Sequence, residues 1–241
     1  MILVESADQI TIIRLNRPEK RNAMTPLMLS DLAAAIVNAR NSGAIVISGV
    51  GDVFCAGFDL ALCRDDRRVL RDLLTGLSEC LMAMRETMSP IVLSAHGAAV
   101  AGGCALLAGA DFVYTDASAK LGYPVLKLGI SPAVNIPFLR SVLSDGQVRA
   151  KTLEPELFTA MQARAAGLVH EVTENASACE AASITLAKHL ASKPAWALQA
   201  TKRWLEEVAP VTGIAEGLAA SLGLVDGEEE REMLPKAWTR K

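Results

Sequence analysis

The sequence predicts an α/β fold, and two observations carry the prediction. Along the first two thirds, short runs rich in Ile, Val and Leu alternate with stretches whose apolar residues recur every three or four positions, the order of strands covered by helices. From about Ser177 onward the pattern turns helical, with apolar stripes over residues 181–190, 196–208 and 215–225. The predicted division is therefore a core of residues 1–175 and a helical region of residues 176–241 built to pack against something.

Each element has its own signal. Residues 2–4 and 10–15 read as two strands joined by a turn at Ala7 and Asp8. Thr25, directly before Pro26, is placed to cap a helix running to about Arg40: a threonine hydroxyl accepts an orphan N–H, and proline sets the first-turn φ without losing a hydrogen bond. A strand follows at 44–48, then a glycine-punctuated loop at 49–58. Val69, Leu70, Leu73, Leu74, Leu77, Leu81, Met84 and Met88 recur at helical spacing, and Pro90 is expected to end that helix and begin a buried strand at 91–95. Gly102 opens a small-residue helix to about Ala108, 112–114 is a strand, a short extended piece lies near Leu121, and helices span 135 to about 152.

Composition removes several classes of function. Hydrophobic residues at 51% with 21% charged describe a 241-residue chain that buries a full core. Lys and Arg number 24 against 27 Asp and Glu, so no positive field is available for a nucleic-acid backbone. Cys55, Cys63, Cys80, Cys104 and Cys179 form no CxxC pair and sit among apolar neighbours, which reads as buried thiols in a reducing compartment with neither metal nor disulfide. The N-terminal stretch alternates like strands and carries no basic region of the signal-peptide kind, so the cytoplasm is the expected location. Residues 89–110 are free of formal charge over nearly the ~20 residues of a membrane span. Pro90, Ser94, His96 and four glycines interrupt them, so the run is read as strand, turn and helix, and no membrane partner is expected. The acidic cluster Glu228, Glu229, Glu230 and Glu232 reads as a solvated helix face.

Two turns carry candidate chemistry: F-C-A-G-F-D-L at 54–60 and A-V-A-G-G-C at 99–104, each a strand-to-helix turn of small residues. Paired glycines before a helix allow close backbone approach and leave unpaired N–H groups facing a ligand. One such donor from each loop on a thioester carbonyl makes an oxyanion hole. Those loops, L-N-R-P-E-K-R-N-A-M at 15–24, H-G-A-A-V-A-G-G-C-A-L-L-A-G-A-D-F at 96–112, A-A-G-L-V-H-E-V at 165–172 and A-T-K-R-W-L at 200–205, together and in order, resemble the crotonase, or enoyl-CoA hydratase/isomerase, superfamily. The resemblance covers nearly the whole chain, with the loop before Ile45 and the segment around Glu154 shorter than the family pattern.

The resemblance implies a spiral of ββα units followed by a helical trimerisation region, a homotrimer or hexamer, and a coenzyme A thioester as substrate with no permanently bound cofactor or metal. It implies backbone oxyanion donors at Phe58 and Gly102. It implies CoA contacts at Ala23, Ala56, Asp59 and Leu60, with Lys20 or Arg21 near the phosphates, and an acyl site at Gly103, Ala105, Tyr123, Pro124 and Val125. A lysine often found two residues after the aspartate is Ala61 here, with Arg64 as a substitute, and Arg240 or Lys241 resembles a basic contact to a neighbouring subunit.

The departures limit the chemistry. Hydratases of the family use two glutamates to move protons; their positions are Ala105 and Val125 here, and the loop at 130–136 offers only Ser131 and Asn135 as polar side chains. For the remaining titratable residues the structural reading is the stronger: Asp59 as a helix cap, His96 as a hydrogen-bonded turn residue, Cys104 as core filler, Lys127 as a surface charge. Tyr123 is a poor base with its ordinary pKa near 10. The expectation is an acyl-CoA-binding protein, nominally a hydratase or isomerase, that stabilises an enolate without the usual glutamates. Decarboxylation of a malonyl-type thioester, which needs no base, and non-catalytic binding are the alternatives.

Overall fold

The computed structural model describes residues 1–237. A hairpin of β1 (Ile2–Ala7) and β2 (Ile10–Leu15) opens a six-stranded sheet that continues in parallel through β3 (Ala44–Gly49), β4 (Ile91–Ser94), β6 (Phe112–Asp116) and β9 (Glu171–Thr173). A second sheet pairs β5 (Ala98–Val100), β7 (Lys120–Gly122) and β8 (Phe158–Thr159). The strand–helix alternation of the sequence thus gives the expected α/β class.

The two-residue period of the central strands divides the core. Ile13, Leu15, Ile45, Ile47, Ile91 and Leu93 face one cluster, shared with α1 (Pro26–Asn38) and α2 (Arg68–Glu86). The intervening Ile10, Ile12, Ala44, Val46 and Val92 face the other, covered by Ala187 of α7 (Ala176–Ala191). Thr25 caps α1 as expected, its hydroxyl accepting from Met28 N–H at 3.1 Å. α2 buries Leu70, Leu73, Leu74, Leu77, Leu81 and Met84, the stripe legible in the sequence.

Several boundaries move. β1 runs on to Ala7, and the turn falls on Asp8 and Gln9, both at positive φ (51° and 66°), because the register Ala7↔Ile10 leaves two residues to reverse the strand. α2 stops at Glu86, four residues before Pro90. Thr87 is already extended, and Ser89 donates its hydroxyl hydrogen to the carbonyls at the end of α1's loop, to Ser42 O at 2.7 Å and Arg40 O at 2.9 Å. The helix opened by Gly102 is a single α-turn, α3 (Gly102–Ala105), that tightens into 3-10 geometry over Leu106–Gly109. The helical stretch expected from 135 begins as a 3-10 turn (Pro132–Asn135), then divides into α4 (Ile136–Val142) and α5 (Asp145–Leu153). β5, β8, β9 and α6 (Ala160–Ala166) carry no periodic signal long enough to read.

The chain closes with α8 (Ala195–Val208), α9 (Ile214–Leu222) and α10 (Glu228–Met233). The acidic cluster divides: Glu228, Glu229 and Glu232 are exposed, but Glu230 is buried, accepting from Asp226 N–H at 3.0 Å with the Arg67 guanidinium 3.7 Å away. A charge pattern shows no inward-facing member when its partner lies 163 positions upstream. Among the described residues no helix is long and apolar enough to cross a membrane.

α8 is tethered by charges. Lys202 is 6% exposed and reaches Asp111 Oδ2 at 2.7 Å and the Ser89 carbonyl at 3.1 Å, while Arg85 pairs with Glu206 at 2.6 Å. Asp111 Oδ2 also accepts from Ile91 N–H at 2.7 Å, so the lysine charge fixes a carboxylate that registers β4. Replacing Lys202 with Ala is expected to lower unfolding free energy by about 2 kcal/mol, less than the ~3–5 kcal/mol of breaking a fully buried pair, because Asp111 keeps some solvent access. Chemical denaturation measures it, and a loss below about 0.5 kcal/mol would mean that water replaces the ammonium.

Candidate active site

The two glycine-bearing loops are joined by backbone bridges. Cys55 pairs with Ala99, donating its N–H to Ala98 O and accepting from Val100 N–H, both at 3.0 Å. Met24 pairs with Phe58, through Met24 N–H to Gly57 O at 2.7 Å and Asp59 N–H to Met24 O at 2.9 Å. Those bonds leave the Phe58 N–H outside the ladder.

The close approach explains the glycine pair. A Cβ at Gly102 would sit 2.8 Å from Met24 Cε and from Cε1 of the Phe58 ring, and one at Gly103 would sit 2.7 Å from both Cβ and the carbonyl oxygen of Cys55. Ala101, just before them, has φ 52° and ψ −116°, a conformation that costs an L-residue on the order of 1–3 kcal/mol. Hydrogen bonds hold it there: Ala101 N–H donates to Gly122 O at 2.8 Å, and Ala105 N–H donates to Ala101 O at 2.9 Å. This reversal makes Gly102 the first helical residue, whose N–H has no acceptor within the helix.

Phe58 and Gly102 border one cavity of about 150 Å³. Ala56 and Leu60 of the first loop also border it, as do Ala105 of α3 and Tyr123, Pro124 and Val125 beyond β7. Its walls also include Leu74 and Leu77 of α2, and Leu128, Ile130, Val134 and Asn135 of the segment before α4, of which the sequence marked only Asn135, as a polar residue of the 130–136 loop. The two leucines belong to a helical stripe that reads equally well as core, so nothing in the sequence marks them.

Tyr123 is the one ionisable side chain on the cavity wall among the described residues. It is buried, its hydroxyl donates to the Cys104 carbonyl at 3.1 Å, and burial together with the Cys104 side raises its pKa well above the usual tyrosine value. Cys104 itself is buried, and burial pushes its thiol up to about 12. His96 is 5% exposed and its Nε2 meets the Gly51 carbonyl at 2.8 Å, while Lys127 pairs with Glu156 at the surface.

Other candidates lie off the cavity. Gly103 packs behind it on Cys55. Asp59 makes no capping bond to the 3-10 turn Leu60–Arg64; its Oδ2 instead pairs with Arg17 Nη2 at 2.8 Å. A guanidinium pinned by the Ala23 carbonyl, which Arg17 Nη1 reaches at 2.8 Å, offers a stronger charge-assisted bond than a backbone N–H can. Lys20 is exposed on the turn Pro18–Lys20, and Ala23 is half-buried. Ala61 and Arg64 are exposed, and Arg240 and Lys241 lie outside the described residues. Asn22, not singled out by its sequence, is a buried clamp: its Oδ1 accepts from Arg17 N–H at 2.8 Å and its Nδ2 donates to Val50 O and Val53 O at 2.9 Å, tying this turn to the loop before Phe54.

The family model of enoyl-CoA hydratase/isomerase matches residues 5–226 of this chain. The chain belongs to that family. It is 32% identical over 225 residues to the 2,3-dehydroadipyl-CoA hydratase of Escherichia coli, covering 89% of this chain and 86% of that one. Its structure superposes on an enoyl-CoA hydratase/isomerase from Mycobacterium paratuberculosis with a TM-score of 0.87 at 26% identity, covering 98% and 97% of the two chains. It superposes on Pseudomonas aeruginosa OdaA with a TM-score of 0.88 at 25% identity over 99% of each. Ala105 and Val125 stand at the two positions where the family resemblance implies glutamates.

All five cysteines are buried, and burial raises Cys55, Cys80 and Cys104 to about 12 and Cys63 to about 11. A colorimetric disulfide reagent at pH 8 is expected to label none of them within minutes in the native protein and all of them after guanidinium unfolding. Rapid native labelling would mean that one of these thiols opens to solvent.

Proposed function

We propose that this cavity takes the acyl end of a coenzyme A thioester and stabilises its enolate through the backbone N–H groups of Phe58 and Gly102. One observation carries the reading: two N–H donors with no protein acceptor border a cavity whose walls hold no side chain able to move a proton at neutral pH. The donors suit a developing oxyanion, and the apolar walls exclude the water that would compete for them. Ala56 and Leu60 would flank the thioester arm, with Ala23, Asp59 and Lys20 farther along toward the nucleotide. The thioester is substrate, and no resident cofactor or metal enters the reading.

The missing proton carriers weigh against hydration and double-bond migration as efficient reactions. Ala105 and Val125 carry no proton, and Tyr123 is held neutral with its hydrogen already donated. Decarboxylation of a malonyl-type thioester is the second reading, favoured by the same apolar wall. The bond from the α-carbon to the carboxylate breaks, its electron pair passes into the thioester enolate held by the two amides, carbon dioxide leaves, and water later returns a proton to the α-carbon. A carboxylate stripped of water in an apolar cavity is poorly stabilised, which assists that cleavage.

Mass spectrometry after incubation with crotonyl-CoA, a 3-enoyl-CoA and methylmalonyl-CoA tests the reaction, and calorimetry with the same thioesters tests binding. Carbon dioxide release from methylmalonyl-CoA selects the decarboxylase. Binding without any product selects a non-catalytic role, and binding of none overturns the assignment. Gly102→Pro is expected to reduce any turnover by at least ~10²–10³-fold, because it removes one donor and also presses a ring against Met24 and Phe58. Tyr123→Phe is expected to leave most of it. Because the one ionisable wall residue stays protonated up to its raised pKa, turnover is expected to vary less than twofold between pH 6 and 9. A bell-shaped profile would reveal a proton carrier outside the wall described above.

Assembly is the other part of the proposal. α8 carries Trp196, Trp204, Leu205 and Val208 at 58–87% exposure on a helix otherwise held to the body by Lys202 and Glu206. An exposed apolar face of that kind supports self-association as a homotrimer or hexamer. Light scattering on the purified protein is expected to give a multiple of three chains, and Trp204→Glu to lower it.

A further inference from the structure

Asn135 closes the 3-10 turn Pro132–Asn135 on the cavity wall, is 1% exposed, and has no hydrogen-bond partner for either its Nδ2 or its Oδ1. Ser48 Oγ and Arg85 Nε are also unpaired, but neither residue borders the cavity, and among the described residues only Asn135 has two such atoms. Burying one unsatisfied polar group costs on the order of 1–3 kcal/mol, so an amide with two of them calls for a partner supplied from outside the chain.

The nearby polar groups make hydrogen bonds to other partners. Ser131 Oγ accepts from Ala133 N–H at 3.2 Å. Ser221 Oγ accepts from Val134 N–H at 2.8 Å and donates to Ser131 O at 3.0 Å. The Tyr123 hydroxyl gives its hydrogen to Cys104 O. The Asn135 amide stands close enough to that hydroxyl to favour its ionised form slightly, yet no hydrogen bond of ordinary geometry joins them. Every other wall residue apart from Ser131 and Tyr123 is apolar or glycine, and none carries a formal charge.

Size and charge then define the occupant. A cavity of about 150 Å³ is the size that accommodates a benzene-sized molecule, about six non-hydrogen atoms. An ionised group would find an amide but no cation, and burying an unpaired charge is costly. A hydroxyl meets both amide atoms without that cost, accepting from Nδ2 and donating to Oδ1. We propose that Asn135 is a specificity-determining residue of this cavity: its amide receives a neutral hydrogen-bonding oxygen on a short acyl chain and selects such thioesters over plain alkyl ones. The inference rests on the acyl-CoA reading above and goes beyond it by naming the acyl class.

The test compares butyryl-CoA, 3-hydroxybutyryl-CoA, 4-hydroxybutyryl-CoA and succinyl-CoA by calorimetry on the full-length protein and on Asn135→Leu. In the native protein at least one hydroxyacyl thioester is expected to bind ten-fold or more tighter than butyryl-CoA. In Asn135→Leu that advantage is expected to vanish while butyryl-CoA binds as well or better, because an orphaned amide has been replaced by a side chain of similar size. The melting temperature of the unliganded variant is expected to stay level or rise. Equal binding of hydroxyacyl and alkyl thioesters, a preference that survives Asn135→Leu, tightest binding of succinyl-CoA, or a clear drop in melting temperature would each overturn the role of Asn135 while leaving the CoA reading intact. Binding of no thioester overturns both.

Discussion

The cavity exists because two stretches of backbone come closer than side chains allow. The bridge between Cys55 and Ala99 brings the loop after β3 against the loop after β5, and the space left at Gly102 and Gly103 is smaller than one methyl group. Everything local follows from that contact. The Phe58 ring is pressed against Gly102, Met24 is fixed by its bridge to Phe58, and the turn carrying Arg17, Asn22 and Asp59 is drawn in by Met24 and by the Asn22 clamp. The proposed main-chain donors place their demand on backbone separation, which the absent side chains of Gly102 and Gly103 meet.

That logic separates what the sequence tells from what it does not. Glycine pairs and small residues at turns are visible because they are exceptions in composition, so both loops could be singled out, while Phe58 and Gly102 within them were implied by the family resemblance. The α/β alternation and the α2 stripe were legible for a similar reason: a period repeated over many residues is hard to mistake. The Asp59 pairing was not legible, because its partner Arg17 lies 42 positions away and a residue before a helical turn looks like a cap from local order alone. The second sheet escaped notice because A-A-V and F-T are too short and too ordinary to show a period.

Burial of polar groups is the least readable property. Glu230 within a run of glutamates, Asn22 in a basic stretch and Asn135 in an apolar one have unremarkable neighbours, and each is defined by what the fold brings to it. Two of the three find partners and act as fasteners. Asn135 does not, and its contrast with Asn22, the other buried side-chain amide among the described residues, makes the exception informative.

The backbone at Ala101 has a wider consequence. Its φ of 52° is held from outside its own loop, by the carbonyl of Gly122 on a strand 21 positions later in the chain. The direction in which Gly102 points its N–H is therefore a property of the assembled sheet and cannot be carried by the A-G-G-C segment itself. Transplanted into another scaffold without a β7 beside it, the segment would relax to an ordinary turn and lose its aim. Within this chain, any event that loosens the pairing of β5 with β7 would disarm the site before the protein unfolds.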